Sequence, residues 1–280
     1  MRALFFVILL FAVGFTACET DEVSPVDDQV EDVVGKQGEQ NDDVQEGGTN
    51  DQQDQNNDQS QEEDNNQEQQ EEETTCETKD KVYHEKNGLV TIDFEQVPKK
   101  NGWKKANSKD GYYGGGYIYW DGDNYFREPG NGKIVMKIKI NNPGTYRVLW
   151  RSHILKGDNG TEHNDSWLKF PNADDFYGDR DGHRVYPVGS GKTPHPNGRS
   201  ADGWFKVYMN GANQWRWQAR TSDHDPHLIF VKFDEAGIYT MQVSARSNYH
   251  GLDRVVLFKK GKSEDAATKK SNGRSTFDCL

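Results

Sequence analysis

Three textures succeed one another along the chain. After Met1 and Arg2 comes an unbroken apolar run, residues 3–17 (ALFFVILLFAVGFTA). Residues 19–75 are then mostly Asp, Glu, Gln, Asn and Gly, without an aromatic residue. From Val82 onward apolar residues return with a period of two rather than 3.6, the spacing of strands with one buried face. Ile134-Val135-Met136-Lys137-Ile138-Lys139-Ile140 alternates up to the turn Asn141-Asn142-Pro143-Gly144. Tyr146, Val148 and Trp150 then alternate with Arg147 and Arg151, which predicts a hairpin. A second hairpin is predicted where Leu228–Phe233 reaches Asp234-Glu235-Ala236-Gly237, after which Tyr239, Met241, Val243 and Ala245 share a face. The two segments share a turn ending in Gly, then x-Tyr, and both close with Arg-Ser: an echo of duplication, or the chemistry any hairpin needs. Further strands are expected at 89–97, 117–120, 166–170, 204–209, 215–219 and 255–259, and no stretch has a helical stripe. Many short strands between Gly, Pro, Asn and Asp turns predict an all-β chain, a β-sandwich or jelly roll, preceded by a disordered acidic linker. Residues 171–202 read as one long functional or mobile loop, and 263–275 as a tail too polar to be ordered.

The apolar run of 15 residues is short for a bilayer span of about 20 residues and suits a secretory signal. Phe15-Thr16-Ala17-Cys18 resembles the lipobox of bacterial lipoproteins. That resemblance implies cleavage before Cys18, lipidation of its thiol, and a membrane anchor made of acyl chains alone. The acids Glu19, Asp21 and Glu22 resemble the signal that sends some lipoproteins to the outer face of the outer membrane, so the expected location is the cell surface. A plain secretory signal, or an uncleaved anchor, is the other reading. The expected division is 1–17 signal peptide, 18–75 lipidated cysteine and linker, 76–262 β-sandwich, 263–280 polar tail.

Charge sharpens this division. The chain carries −12 overall, but 21 acids against the single base Lys36 give residues 19–75 a net −20, so that, with Arg2 set aside, residues 76–280 carry +7. The linker cannot bury enough apolar surface to offset its ordering entropy and is read as a tether spanning about 40 Å. Its acidity is also expected to screen the basic body when no ligand is present. An exported domain on an acidic tether is a poor partner for nucleic acid. The three cysteines, Cys18, Cys76 and Cys279, form no CxxC, which excludes a zinc ribbon or finger. Cys76 and Cys279 bracket the body, and a disulfide between them is the natural pairing in an exported chain; two free thiols on loose ends are the alternative.

Val90-Thr91-Ile92-Asp93-Phe94-Glu95 resembles the opening strand of galactose-binding-like jelly rolls, the carbohydrate-binding modules of the family 6 and family 35 type. Ser247-Asn248-Tyr249-His250-Gly251-Leu252-Asp253-Arg254-Val255-Val256-Leu257 resembles their closing strand, and residues 117–120, Gly144-Thr145-Tyr146-Arg147 and Trp215-Arg216-Trp217 fall in the expected order between. The resemblance covers residues 82–260 and departs from the pattern at Asp93 and in the long insert. It implies a structural Ca²⁺ held by Asp93, Glu95 and Asp253. It also implies a ligand cleft lined by Tyr112 or Tyr113, Trp215 with Trp217 beside it, and Asn248 with His250. The chemistry suits a sugar, whose C–H face stacks on a ring while its hydroxyl rim takes amides and charges. Trp150 and Trp167 are read as core.

The basic body, with Arg151, Arg246, Arg220, Lys104 and Lys105 near candidate loops, points to an anionic, sulfated or uronate, polysaccharide. Jelly-roll polysaccharide lyases are the rival class, since Tyr, His and Arg are all present. No spacing sets a base, an acid and a neutralising cation on one face, and Asp223-His224-Asp225-Pro226-His227 reads as a turn rather than a metal site. The expectation is a non-catalytic, glycan-capturing surface lipoprotein that hands chains to transporters or degrading enzymes. A protein-binding surface adhesin is the third reading.

Overall fold

The computed structural model describes Cys76, residues 80–222 and residues 224–280. The expected signal peptide, the lipidated Cys18 and the acidic linker lie outside the described residues. Among the described residues, sixteen strands make two sheets. The seven-stranded sheet runs β10 (Ser200–Ala201), β11 (Trp204–Tyr208), β7 (Asp165–Lys169), β14 (Gly237–Ala245), β5 (Ile134–Ile140), β1 (Lys81–His84), β16 (Phe277–Cys279). The nine-stranded sheet runs β3 (Lys104–Ala106), β4 (Tyr117–Tyr119), β15 (His250–Lys259), β6 (Gly144–Ile154), β13 (Leu228–Phe233), β8 (Asp175–Arg180), β9 (His183–Val185). Two strands complete it: β2 (Leu89–Asp93) extends the edge of β15 beyond β4, and β12 (Arg216–Trp217) extends the edge of β6 beyond β13. The all-β sandwich stands. No helix among the described residues is long and apolar enough to cross a membrane.

The period-two pattern reports burial faithfully. In β5, Ile134, Met136, Ile138 and Ile140 are buried, while Val135 and Lys139 are exposed. Facing residues Tyr146, Val148 and Trp150 of β6 close the core from the other sheet, with Phe94 edge-on to Trp150 at 6.5 Å between ring centres.

The two expected hairpins do not exist. β5 pairs with β1 and β14, and β6 pairs with β15, β13 and β12, so each predicted hairpin is an arch crossing from one sheet to the other. The arches lie side by side: Ile140 sits opposite Gly237, and Gly144 opposite Phe233. Alternation says which face is buried but not which strand is the neighbour, and an arch in a sandwich alternates as a hairpin does. A side chain outside the pattern holds the first crossing. The buried carboxylate of Glu85 accepts from the backbone N–H of Asn141 (3.0 Å) and Asn142 (2.8 Å) and from the Asn142 amide. The similarity of the two turns has a shared use. Tyr146 donates its hydroxyl to the Asn142 carbonyl and Tyr239 to that of Glu235, each four residues back, locking the bend.

Two further expectations need correction. The long insert is not one loop: it carries β8, β9 and β10, and Phe176 packs on Phe170 (5.2 Å) and Phe205 (4.9 Å). The polar tail is ordered too. Ser263 caps a single helical turn, α1 (Glu264–Ala267), by accepting from the N–H of Ala266; Glu264 pairs with Arg147 at 2.7 Å; Ala267 is buried. Thr91 donates to the Ser275 hydroxyl, and β16 then adds to the edge of β1. Hydrogen bonds and ion pairs hold this tail where apolar burial is scarce, so composition alone misses it. Cys76 and Cys279 are joined by a disulfide with Cα atoms 5.7 Å apart.

Candidate functional site

β6 carries two sets of side chains. Tyr146, Val148 and Trp150 enter the core, with Ser152 and Ile154 buried on the same parity, which turns Arg147, Arg151 and His153 to the other face of the nine-stranded sheet. At the Arg151 end of that face the loop of residues 107–116 and the segment around β12 fold over the sheet. The guanidinium of Arg151 lies 4.1 Å from the ring centre of Tyr113 and 5.2 Å from that of Trp215. Trp217 meets Tyr113 edge-on at 6.2 Å, and Trp215 meets Tyr117 at 5.1 Å and His153 at 5.1 Å. The indole N–H of Trp215 donates to the Asp110 carbonyl, tying the two loops together.

From Tyr117 the rings continue. Tyr112 packs on it at 6.2 Å and Tyr119 at 6.4 Å. Tyr119 stacks on Tyr249 (5.9 Å, 23°), His163 meets Tyr249 edge-on, and Lys156 stands 5.0 Å above the Tyr249 ring. The result is a strip running Trp217, Tyr113, Arg151, Trp215, Tyr117, Tyr119, Tyr249, His163. Most of these rings are half-buried, while Tyr117 is fully buried. Exposed Lys105, Lys109, Lys156 and Lys270 border it. Tyr249 has φ +58, a backbone state unusual for a bulky side chain.

Four ring residues expected from the sequence, Tyr112, Tyr113, Trp215 and Trp217, are therefore brought together with Arg151. Three others are not available. His250 begins β15 on the inward parity shared with Leu252; it is 0% exposed, packs against Trp150 and bonds Ser166 at 2.9 Å. The left-handed turn at Tyr249 places the tyrosine, not the histidine, outside. Arg246 is buried beneath Phe126 and ion-paired to Asp165. Asn248 spends its amide N–H on the Gly122 carbonyl at 3.1 Å, and its side-chain oxygen is buried. Tyr119 and Tyr249 were missing from the sequence expectation. Tyr119 was legible, since period two places it with Tyr117; Tyr249 gave no periodic signal because it sits in a turn.

Burial of His250 pushes its pKa down to about 4, against a smaller opposite pull from Asp165. The unfolded imidazole takes up a proton near pH 6.5, so the unfolded state binds more protons between about pH 6.5 and 4. Stability contributed by neutral His250 is complete above pH 6.5 and is lost as pH falls through that window. The difference in urea midpoint between the parent and His250→Gln should therefore shift against the parent as pH falls from 7.5 to 4, a comparison in which the opposite contribution of carboxylates with raised pKa cancels.

The carboxylates read as calcium ligands lie next to Tyr113, but they do not fit a calcium shell. Arg254 donates to both oxygens of Asp93, one from Nε and one from Nη2 at 3.0 Å. Asp253 accepts the Tyr113 N–H at 3.0 Å on each oxygen and Arg151 Nη1 at 2.5 Å. Glu95 Oε1 accepts from the Gly115 N–H at 2.9 Å, leaving Oε2 alone without a donor. Among the described residues no group of three or more His, Cys, Asp or Glu side chains is arranged to hold a metal ion. Burial raises the pKa of Asp253 to about 6 against the opposing pull of Arg151 and the Tyr113 amide, and burial likewise raises that of Glu95. Desolvation lowers that of His153, with Lys109 and Arg151 acting the same way.

No protein-family model matches the sequence, and no curated protein matches it. Among solved structures the chain is similar to a Podospora anserina GH26-CBM35 β-(1,4)-mannanase at 14% identity and TM-score 0.37, covering 64% of this chain and 29% of that one. It is similar to a Paenibacillus sp. cycloisomaltooligosaccharide glucanotransferase complexed with cycloisomaltoheptaose at 14% identity and TM-score 0.33, covering 62% and 19%. An Arthrobacter globiformis T6 isomalto-dextranase complexed with panose matches at 12% identity and TM-score 0.33, covering 62% and 24%. The chain thus spans less than a third of each of these proteins.

Proposed function

We propose that this domain captures a polysaccharide on the aromatic strip without turning it over, and that residues 18–75 tether it to the outer membrane surface through a lipidated Cys18. The observation that carries the reading is the strip itself: half-buried rings joined edge to edge and bordered by exposed lysines. Rings so held lose little entropy when a sugar's C–H face settles on them. The bordering lysines would supply long-range attraction for sulfate or uronate groups. Arg151 takes a different part from the one its sequence position suggested. Its charge is spent on Asp253, so the anionic preference falls to Lys105, Lys109, Lys156 and Lys270.

Binding rather than turnover is supported by the state of the groups a lyase would use. His153 is wedged under Trp215 with Nδ1 against its own strand carbonyl, and the neighbouring guanidinium is neutralised. A proton abstraction needs a base free to reach substrate and a cation free to hold the carboxylate. The glycan-capturing role fits handing chains to transporters or degrading enzymes.

Affinity electrophoresis against neutral and acidic polysaccharides tests the reading. Trp215→Ala and Tyr249→Ala should each weaken retention by roughly 10- to 100-fold, equivalent to about 1.4–2.8 kcal/mol. Added salt should weaken binding to acidic chains far more than to neutral ones. Unaltered migration of the parent protein in every polysaccharide refutes the proposal, and accumulation of unsaturated products makes it an enzyme.

A further inference from the structure

The sites implied for a metal are filled by the protein's own cations and amides. Asp93 and Arg254 are register partners across β2 and β15, and Arg254 and Arg151 are partners across β15 and β6. The pairing slips between Leu252 and Arg254, so that Asp253 is the extra residue of a bulge. The bulge brings Asp253 and Arg254 to the same side, where their charges meet Arg151 and Asp93. Three carboxylates thus stand with two guanidiniums, and the remaining negative charge is met by backbone N–H groups.

Those N–H groups all belong to the loop that carries Tyr113. Asp253 holds the Tyr113 amide with both oxygens, and Glu95 holds that of Gly115. Between them Gly114 has φ +63, and a Cβ there would lie 2.6 Å from both Asp93 Oδ2 and Glu95 Oε1. Only glycine lets the loop descend so close to the acids. The Tyr113 ring is then held by charge, with the Arg151 guanidinium at 4.1 Å, that of Arg254 at 5.1 Å and the Lys270 ammonium at 5.6 Å.

We propose that Asp253, Arg151, Arg254 and Glu95 form a metal-independent clamp that positions the Tyr113 loop for ligand, the two guanidiniums standing where a divalent cation would otherwise be needed. Calcium takes six to eight oxygens, and here it would have to evict Arg254 from Asp93 and Arg151 from Asp253 to gain its first ligands. One oxygen left without a donor, Glu95 Oε2, is one ligand and not a shell. Asp253 is a positioning residue: it acts on the ligand only through Tyr113. The inference rests on the reading of Tyr113 as part of the glycan surface.

Two measurements on the full chain test it. EDTA followed by a calcium titration should leave the melting temperature unchanged and give no saturable heat in calorimetry; a saturable calcium heat or a rise in melting temperature overturns the clamp. Asp253→Asn should speed amide exchange in residues 111–116 while strands β5 and β14 keep their protection, and retention on the glycan preferred by the parent should fall about tenfold, or roughly 1.4 kcal/mol. Unchanged exchange in that loop overturns the clamp. If the parent protein retains no polysaccharide, the glycan reading fails, yet calcium indifference and loop exchange still decide the clamp. Should Asp253→Asn not fold, the calcium titration of the parent protein decides it alone.

Discussion

Reducing the Cys76–Cys279 bond, or replacing both cysteines by serine, should lower the unfolding free energy by about 5 kcal/mol in the chain-entropy account of a loop this long. The bond joins residues 203 apart, so the unfolded chain loses nearly the whole body's end-to-end freedom when it forms. The folded state loses little, because both ends are already in place. Lys81 pairs with Cys279 across β1 and β16, the Leu280 N–H donates to the Asp80 carbonyl, and Lys81 lies 4.1 Å above the Phe277 ring. The result to look for is a large drop in the urea midpoint on reduction with the native strand signature retained at zero denaturant. An unmoved midpoint would mean that the unfolded chain keeps its ends together without the bond. If reduction instead frees only β16, amide exchange will rise in 277–280 and in β1 while β5 stays protected.

How far the sequence could be read follows from what each kind of pattern encodes. Burial was legible strand by strand, because alternation is the same whatever a strand's partner; Ile134, Met136, Ile138 and Ile140 all face inward as read. Pairing was not, because alternation is the same in a hairpin and an arch, and the contacts that hold the two turns, Glu85 on Asn141 and Asn142 and Asp174 on Asp234, come from segments remote in sequence. The ring residues were legible as types and segments: Tyr112, Tyr113, Trp215 and Trp217 do meet around Arg151. The polar members were not. His250, Arg246 and Asn248 are one register step, one buried partner and one loop contact away from the surface, distinctions that a residue's identity does not carry. The carboxylates Asp93, Glu95 and Asp253 were legible as neighbours; the arginines that pair with Asp93 and Asp253 were not, since they come from strands remote in sequence.

The same buried-cation logic makes Asp165 the most sensitive single charge outside the clamp. Asp165 and Arg246 are buried and ion-paired, and Lys206 stands 3.6 Å from the same carboxylate. The loop above them is pinned by its backbone, the Trp167 indole donating to the Tyr125 carbonyl and the Tyr125 N–H to that of Arg246. Removing one member of a buried pair leaves a desolvated charge at a cost of about 3–5 kcal/mol. The two sides are unequal here. Arg246→Ala leaves Asp165 with Lys206 still at hand, whereas Asp165→Asn strips the carboxylate from two cations at once, so it should be the more damaging. Replacing both partners, Arg246→Met with Asp165→Leu, should recover only the part of the loss that belongs to Arg246, because Lys206 still loses the carboxylate 3.6 Å away. Chemical denaturation of the two singles and the double gives the coupling directly. Equal losses for the two singles would show that Lys206 contributes nothing to Asp165. Because this cluster lies under the Phe126 loop and not on the ring strip, Arg246→Met with Asp165→Leu should keep its glycan retention, and a loss there would return Arg246 to the binding surface.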